Sequence, residues 1–407
     1  MGYYKQALKG ISWMGGLRVT VRALTLAKTA VLARVLSPSQ FGIYGIGMLV
    51  LGFLEMLTET GVNVFLIQKT GTIDKYVNSS WFVSILRGLI IFVFLIIFAP
   101  FIAKFFNSNE ARNIIYLVSI IPLIRGFINP ACVSFQKNLE FKKQFFYDST
   151  IFAVDAVVAI TLGLITKSEY SLVVGMIFAT LLEVIMSHII FNPKPKFVFE
   201  KEKTIEVINR GKWITGAGIF NYLFTNMDNI FIGRLMGAGP LGIYQQAYRI
   251  STVPVTEVGE VFNKVTFPIY TQINEDKKRL KKAFLKTLLI ICLFVIPFGL
   301  LVFYFPIEIV KIVYGEKWIA MTPVLQILAI FGIIKAISNS FFSLFLGLKK
   351  QEIVTLITFL SSVFLFVLLY PLIKIFGSLG ASYAVIIATL LSLPLTIFYF
   401  FKLTKEK

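Results

Sequence analysis

Long apolar runs separated by short polar connections fill this chain from end to end. They predict twelve helical spans, at about 10–36, 41–66, 77–103, 113–135, 145–166, 169–191, 206–235, 240–271, 283–304, 320–347, 352–373 and 379–401. Runs of about 20 apolar residues suffice to cross a ~30 Å hydrocarbon layer. Several of these spans are longer, so tilt, kinks or protrusion into water are expected. The alternation over ~10-residue segments that marks a membrane β-barrel is absent. The pattern is that of an all-α polytopic membrane protein.

The pattern also repeats. Ala33-Arg34-Val35-Leu36-Ser37-Pro38-Ser39-Gln40-Phe41-Gly42-Ile43-Tyr44 returns 200 positions later as Gly233-Arg234-Leu235-Met236-Gly237-Ala238-Gly239-Pro240-Leu241-Gly242-Ile243-Tyr244. Trp13 falls on Trp213 and Gly16 on Gly216 at the same offset. Ile177–Leu182 resembles Ile386–Leu391 at an offset of 209. Fixed-offset similarity is the mark of a duplicated unit. The polar stretch from Asn192 to Lys203 reads as the connection between copies. The expected organisation is a six-helix lobe at 1–195, a cytoplasmic linker at 196–203 and a second six-helix lobe at 204–407. Six helices are an even number, so the second lobe enters from the same side as the first. The two are expected to be parallel repeats around a central cavity.

Composition supports the membrane reading: of 407 residues, 57% are hydrophobic and only 15% charged, where a soluble domain carries about 25%. A net charge of +19 would suggest nucleic acid in a soluble protein, but the placement of the charges argues against that. With the N-terminus inside, alternating connections put 24 basic residues on the cytoplasmic side and 8 on the other. That bias follows the positive-inside rule and sets both termini in the cytoplasm. Arg18 and Arg22 interrupt the first apolar stretch, so no cleavable signal peptide is read. Cys132 and Cys292 fall in spans of different halves, as buried thiols rather than a disulfide framework.

Eight basic residues lie inside spans: Arg18, Arg22, Lys28, Arg87, Arg125, Arg249, Lys264 and Lys335. A charge at a helix centre costs ~2.5–3.5 kcal/mol on the insertion scale, so each calls for a partner, water or a ligand. Arg87 lies near enough to a span end to snorkel; Arg22 does not. Acids are present too: Glu55, Glu59, Asp155, Glu183, Asp228, Glu257 and Glu260. Glu55 and Glu59 are the expected partners of Arg18 and Arg22, Glu260 of Lys264 four residues on, and Asp228 of Arg249. Lys28, Arg125 and Lys335 remain without an evident partner. The candidates for an anion-binding cavity are therefore Arg18, Arg22, Lys28, Arg125, Arg249 and Lys335. Asp155, Glu183 and Asp228 are candidates for ion coupling. Buried salt bridges would account for the same residues, and both readings stand at this point.

Much chemistry is missing from the sequence. There is no GxxxxGK[ST] loop, HExxH, GxSxG or CxxC, so neither an enzyme nor a cofactor is expected. His188 stands alone near a span end, where an interfacial role is expected. Gly237-Ala238-Gly239-Pro240-Leu241-Gly242 fits GxGxxG, but it joins two membrane helices rather than a strand and a helix.

Other residues carry a family likeness. Asp228-Asn229-Ile230-Phe231-Ile232-Gly233-Arg234-Leu235-Met236-Gly237 and Leu241-Gly242-Ile243-Tyr244-Gln245-Gln246-Ala247-Tyr248-Arg249 resemble the polysaccharide exporters and lipid-linked oligosaccharide flippases. These belong to the multidrug/oligosaccharidyl-lipid/polysaccharide superfamily. Phe135-Gln136-Lys137-Asn138-Leu139-Glu140-Phe141-Lys142 resembles the family's basic loop after the fourth helix. Tyr314-Gly315-Glu316-Lys317-Trp318, followed by Pro323 and Leu325, is similar to its Gly-x-x-Trp stretch, and Leu36–Gly42 to its first turn. The resemblance implies two lobes around a cavity that opens to alternate sides. It also implies a lipid-linked substrate with an isoprenoid tail, a diphosphate and an oligosaccharide, carried across the bacterial cytoplasmic membrane. Membrane lipids and polysaccharide assembly enzymes are the expected partners, and nucleic acid is not. Some members have two further C-terminal helices, which puts in doubt any tail-binding role assigned to those. Cation-coupled drug efflux is the competing transport function, with Asp155 and Glu183 as its acids. A membrane glycosyltransferase would call for a large outer loop bearing catalytic carboxylates, and none is read.

Overall fold

The computed structural model describes residues 3–59, 61–68, 73–198, 200–253, 266 and 269–405, and for 3–9, 11, 64, 68, 206–221 and 224 the backbone alone. Glu257, Glu260 and Lys264, and with them the expected Glu260–Lys264 pair, lie outside the described residues, as does most of the second part of the span expected at 240–271. The chain forms two compact units, 1–226 and 227–407. The first holds α1 (Tyr3–Val35), α2 (Pro38–Leu57), α3 (Val62–Gln68), α4 (Asp74–Phe105), α5 (Asn109–Arg125), α6 (Ser134–Lys137), α7 (Phe141–Thr166) and α8 (Tyr170–Ile190). α9 (Lys201–Met236) runs through the boundary. The second unit holds α10 (Ala238–Ser251), α11 (Lys277–Tyr304), α12 (Pro306–Val313), α13 (Thr322–Gly347), α14 (Gln351–Phe376) and α15 (Ser378–Thr404).

Among the described residues eight helices are long and apolar enough to cross a membrane. A ninth crossing is made if α5 and the segment Pro130–Lys137, bent by 74° from it, count as one. α1 and α9 are as long and carry charge along their length. The all-α multi-pass class thus holds. Two expected spans are broken, each for a local reason. The stretch 41–66 splits after Leu57, where Gly61 takes a φ of 59° before α3 begins, a conformation glycine adopts without steric cost. The stretch 113–135 splits after Arg125, because Pro130 cannot continue the helix and disfavours a helical Asn129. Asn129 is extended (ψ 116°) and caps a short 3₁₀ turn, its side chain accepting from Ala131 N at 2.9 Å. Cys132 lies in that turn.

Helix ends are set by recognisable chemistry. Ser37 caps α2 in a capping box with Gln40: Ser37 N donates to Gln40 Oε1 at 2.8 Å and Gln40 N to Ser37 Oγ at 3.4 Å, with Pro38 in the first turn where its missing N–H costs nothing. Gln40 Nε2 also donates to Lys167 O and Glu169 Oε2, both at 3.0 Å, so the α1–α2 and α7–α8 turns are tied together. The corresponding corner of the second unit has Gly237 at φ 83°, and the adjacent Met236 packs on Gly377 of the α14–α15 turn.

Each unit packs its helices in the same order. In the first, α2 and α4 lie against α5, α5 against α8, and α7 against α8. In the second, α10 and α11 lie against α13, α13 against α15, and α14 against α15. Left-handed backbone recurs as well. Leu139 and Lys349 (both φ 59°) are 210 positions apart; Lys167 (φ 50°, ψ 35°) and Gly377 (φ 62°, ψ −139°) are equally spaced but share only the sign of φ. Leu139 and Lys349 close the same bonding pattern. Glu140 N donates to Phe135 O at 2.7 Å and Lys350 N to Phe345 O at 2.9 Å, the six-to-one bond of a helix-terminating Schellman turn.

Large apolar side chains on α4, α11 and α14 are exposed, among them Ile97, Leu289, Leu293 and Val367. In a protein of this composition those surfaces face lipid. Between helices, contact depends on small residues. A Cβ on Gly332 of α13 would collide with the Ser251 carbonyl of α10, and one on Gly88 of α4 with the Pro122 carbonyl of α5. Neither carbonyl can move without its helix. Gly332→Val is therefore expected to lower the melting temperature in detergent or abolish folded expression. Gly239→Ala, whose Cβ would meet nothing within 4 Å, is expected to leave it unchanged. Fluorescence-detected size exclusion after heating reads both.

Candidate functional site

The charges predicted to lie inside spans gather chiefly in the first unit. Lys28, near the C-terminal end of α1, donates to Asp155 Oδ2 of α7 at 2.5 Å, with both side chains about nine-tenths buried (12% and 14% exposed). Arg125, the last residue of α5, donates through Nη1 to Glu55 Oε1 of α2. Arg87 of α4 reaches the end of α2, donating from Nη2 to Glu55 O at 2.7 Å and from Nε to Thr58 Oγ1 at 3.1 Å. Its Nη2 also stands 3.8 Å from Glu59 Oε2. A guanidinium there meets the unpaired carbonyls and negative end of a helix.

Two cavities adjoin this cluster. One, of about 220 Å³, is lined by Glu55, Glu59, Arg87, Arg125 and Glu183, with Asn63 and Ser84. The other, of about 310 Å³, is lined by Arg125, Asp148, Asp155 and Glu183 together with Phe152 and Thr180. Arg125 and Glu183 belong to both walls. The Arg125 side chain is 43% exposed, the most accessible of the three paired cations. An anion entering either cavity would meet that guanidinium, which offers paired donors to phosphate.

Several expected pairings are corrected. Lys28 and Arg125 have no evident partner near them in sequence; Asp155 and Glu55 supply partners from other helices, 127 and 70 residues away. Among the described ion pairs, Glu55 meets Arg125 and Glu59 meets Arg87. Asp228 does not pair with Arg249. It is 3% exposed and accepts from Tyr244 OH at 2.7 Å and from Asn229 N and Nδ2 at 2.8 and 3.1 Å, while Arg249 is exposed.

Lys335 of α13 donates to Tyr248 OH of α10 at 2.6 Å and sits 5.1 and 5.2 Å from the Tyr248 and Phe331 ring centroids. Aromatic faces stabilise such a cation by roughly 0.5–2 kcal/mol. Its charge is thus met at contact distance by a phenol and two rings, with the Asp228 carboxylate adding attraction from further off.

Sequence reasoning missed Arg87, Asp148 and Tyr248 as members of these clusters. Asp148 and Asp155 are seven apart and share a face of α7, a signal present in the sequence. Tyr248 and Lys335 are far apart in sequence and offered none. His188 is more than an interfacial side chain: its Nε2 is 2.9 Å from Phe127 O, which also accepts from Trp81 Nε1 at 3.1 Å.

A multi-pass helical membrane protein with cavities walled by charged side chains inside one compact unit is a protein built to pass or hold polar solutes. The chain belongs to the polysaccharide biosynthesis protein family, which it matches over residues 31–323. It is 24% identical over 398 residues to the lipopolysaccharide biosynthesis protein WzxC of Escherichia coli (strain K12), covering 96% of this chain and 79% of that one. It is 25% identical over 357 residues to the teichuronic acid biosynthesis protein TuaB of Bacillus subtilis (strain 168), covering 86% and 73%. In fold it is similar to the lipid II flippase MurJ in an inward closed conformation, with a TM-score of 0.76 at 16% identity over 97% of this chain and 90% of MurJ. It is also similar to an inward-facing multidrug resistance transporter of the MATE family, with a TM-score of 0.70 at 13% identity over 94% and 95% of the two chains.

The Lys28–Asp155 pair carries a prediction. Removing one partner from a buried pair strands the other charge, at about 3–5 kcal/mol. Lys28→Met and Asp155→Leu are each expected to lower the melting temperature strongly. The double variant is expected to recover much of the loss, a coupling read directly from a double-mutant cycle.

Proposed function

We propose that this protein is a flippase that carries an undecaprenyl-diphosphate-linked oligosaccharide across the bacterial cytoplasmic membrane by alternating access. The observation that carries the reading is Arg125, an accessible guanidinium shared by two cavities, in a chain of the polysaccharide biosynthesis family. The names of WzxC and TuaB, and the lipid II flippase as a neighbour in fold, support it.

In this reading the diphosphate replaces Glu55 on Arg125. The guanidinium then has an anion before, during and after substrate passage, so the cost of an unmet charge never arises. The oligosaccharide uses the polar cavity walls and the tail stays in lipid. Lys28 serves structure by holding α1 to α7. Arg18 and Arg22 on α1, Arg249 on α10 and Lys335 on α13 are the further cations proposed to meet the substrate as the cavity changes shape. Asp155, Glu183 and Asp228 remain the proposed ion-coupling acids.

The proposal includes twelve crossings, both termini in the cytoplasm, two parallel six-helix repeats around a central cavity, and polysaccharide assembly enzymes as partners. The matching packing order and left-handed turns of the two units support the repeats. Drug efflux is the alternative. It would use the acidic wall of the second cavity for an organic cation.

The test is translocation of an undecaprenyl-diphosphate-linked glycan in proteoliposomes. Arg125→Ala is expected to reduce transport about tenfold or more, the value of one charge-assisted contact, with the melting temperature maintained. Arg125→Lys is expected to recover part of it. Glu55→Gln, which weakens the competitor, is expected to tighten substrate binding and slow release. Normal transport by Arg125→Ala would overturn the assignment, and unchanged drug resistance on deletion would remove the alternative.

A further inference from the structure

α1 packs along α7, and side chains join the two at two levels with a groove between. At one end the Phe141 ring lies on Gly10, and Trp13 packs on Phe145 and Phe146, with ring centroids 5.3 and 6.2 Å apart. At the other, Lys28 bonds Asp155 and Leu32 fits against Gly163. Between these ends lies a groove lined by Thr20 and Leu24 of α1 and by residues of α7 from Phe146 to Val158, among which Ser149, Thr150 and Ala153 are small. It measures about 520 Å³ and is almost wholly apolar in its lining. Phe146 and Val157, 55% and 62% exposed, stand at its open side.

The groove has a polarity along its length. On α7 the positions 142, 146, 150, 153 and 157 follow one another at helical spacing and share a face. The first of these is Lys142; the rest, Phe146, Thr150, Ala153 and Val157, line the groove. Lys142, one turn before Phe146, lies over the Trp13 ring, 5.9 Å from its centroid, an orientation that cation–π attraction favours. Its neighbour Lys143 is taken by Glu140 at 2.8 Å. A cation and an aromatic cluster at one end, continued by an apolar channel, match an amphiphile with an anionic head and one long tail. A bilayer phospholipid has two chains, and this is a single groove.

We propose that the α1–α7 groove binds the polyprenyl tail of a lipid-linked substrate, with Lys142 at its phosphate end. The chemical identity of the occupant rests on the flippase reading above. The location rests on the groove alone.

The experiment uses the full-length protein in nanodiscs with undecaprenyl diphosphate carrying a photoactivatable diazirine on its tail. Cross-linked peptides are mapped by mass spectrometry. A phosphatidylglycerol with a diazirine in one acyl chain serves as the second probe at equal concentration. The polyprenyl probe is expected to label residues 146–158 of α7 and 20–24 of α1 in preference to the phospholipid. Ala153→Trp, which fills the groove, is expected to reduce that labelling about tenfold, the equivalent of a few lost methylene contacts. Lys142→Gln is expected to reduce it less and to make it insensitive to salt.

Labelling confined to other helices, or equal labelling by the phospholipid, overturns the proposal, and both are read on the unaltered protein whether or not Ala153→Trp folds. Because the readout is the site of labelling, it is independent of translocation. A groove that labels in a protein that moves no glycan would sink the flippase reading alone, and glycan transport with tail labelling elsewhere would sink the groove alone.

Discussion

A cation held away from bulk water is tolerated only if an anion or a dipole meets it, and the first unit is assembled around three such meetings. Lys28 binds Asp155 and so joins α1 to α7. Arg125 binds Glu55 and joins α5 to α2. Arg87 closes the carbonyl end of α2 from α4. Five helices are thereby fixed by charge as well as by packing. In lipid, where apolar contact between helices is no better than contact with acyl chains, such links set which helix lies beside which. They also place the polar cavities, because the helix ends and breaks that hold the charges cannot close over them.

The three pairs differ in kind. Lys28 and Asp155 are nearly closed to solvent, so their contact is structural and exacting. Arg125 and Glu55 lie on a cavity wall, and exchange of one anion for another is possible there without dismantling a helix contact. The second unit meets its buried charges differently. Tyr244 serves Asp228, and Tyr248 with Phe331 serves Lys335. Phenols and ring faces satisfy these groups at contact distance, and Asp228 and Lys335 attract one another from further off. The cations of the two units are therefore unlike in how readily a mobile anion can approach them.

Much of this was legible from the residues. The helical class followed from apolar runs, the α1–α2 corner from Ser37-Pro38-Ser39-Gln40, and the family from Asp228–Arg249 and its companion stretches. The charges needing partners could be named in advance. Their partners could not, because Lys28 and Asp155, or Arg125 and Glu55, meet only once helices pack. The break after Leu57 was marked by Thr58-Glu59-Thr60-Gly61, while the break after Arg125 was hidden by Phe127 and Ile128, which carry the apolar run on. Pro130 was the available sign of the second. Arg87 was set aside as a snorkelling side chain, since nothing in its own helix reveals the end of α2 across from it.

The left-handed turns have a consequence for descent. On the proposed duplication, Leu139 corresponds to Lys349 and Lys167 to Gly377, pairs with no side-chain chemistry in common. A residue with a Cβ is disfavoured by roughly 1–2 kcal/mol in this conformation, yet Leu139, Lys167 and Lys349 all keep it. On that reading the Leu139 and Lys349 corners keep one turn, with the same φ and the same six-to-one bond, under unlike side chains, while Lys167 (ψ 35°) and Gly377 (ψ −139°) share only the sign of φ. On the proposed duplication, the shared turn at Leu139 and Lys349 would be a record of descent written in a dihedral angle at a corner where residue identity keeps none.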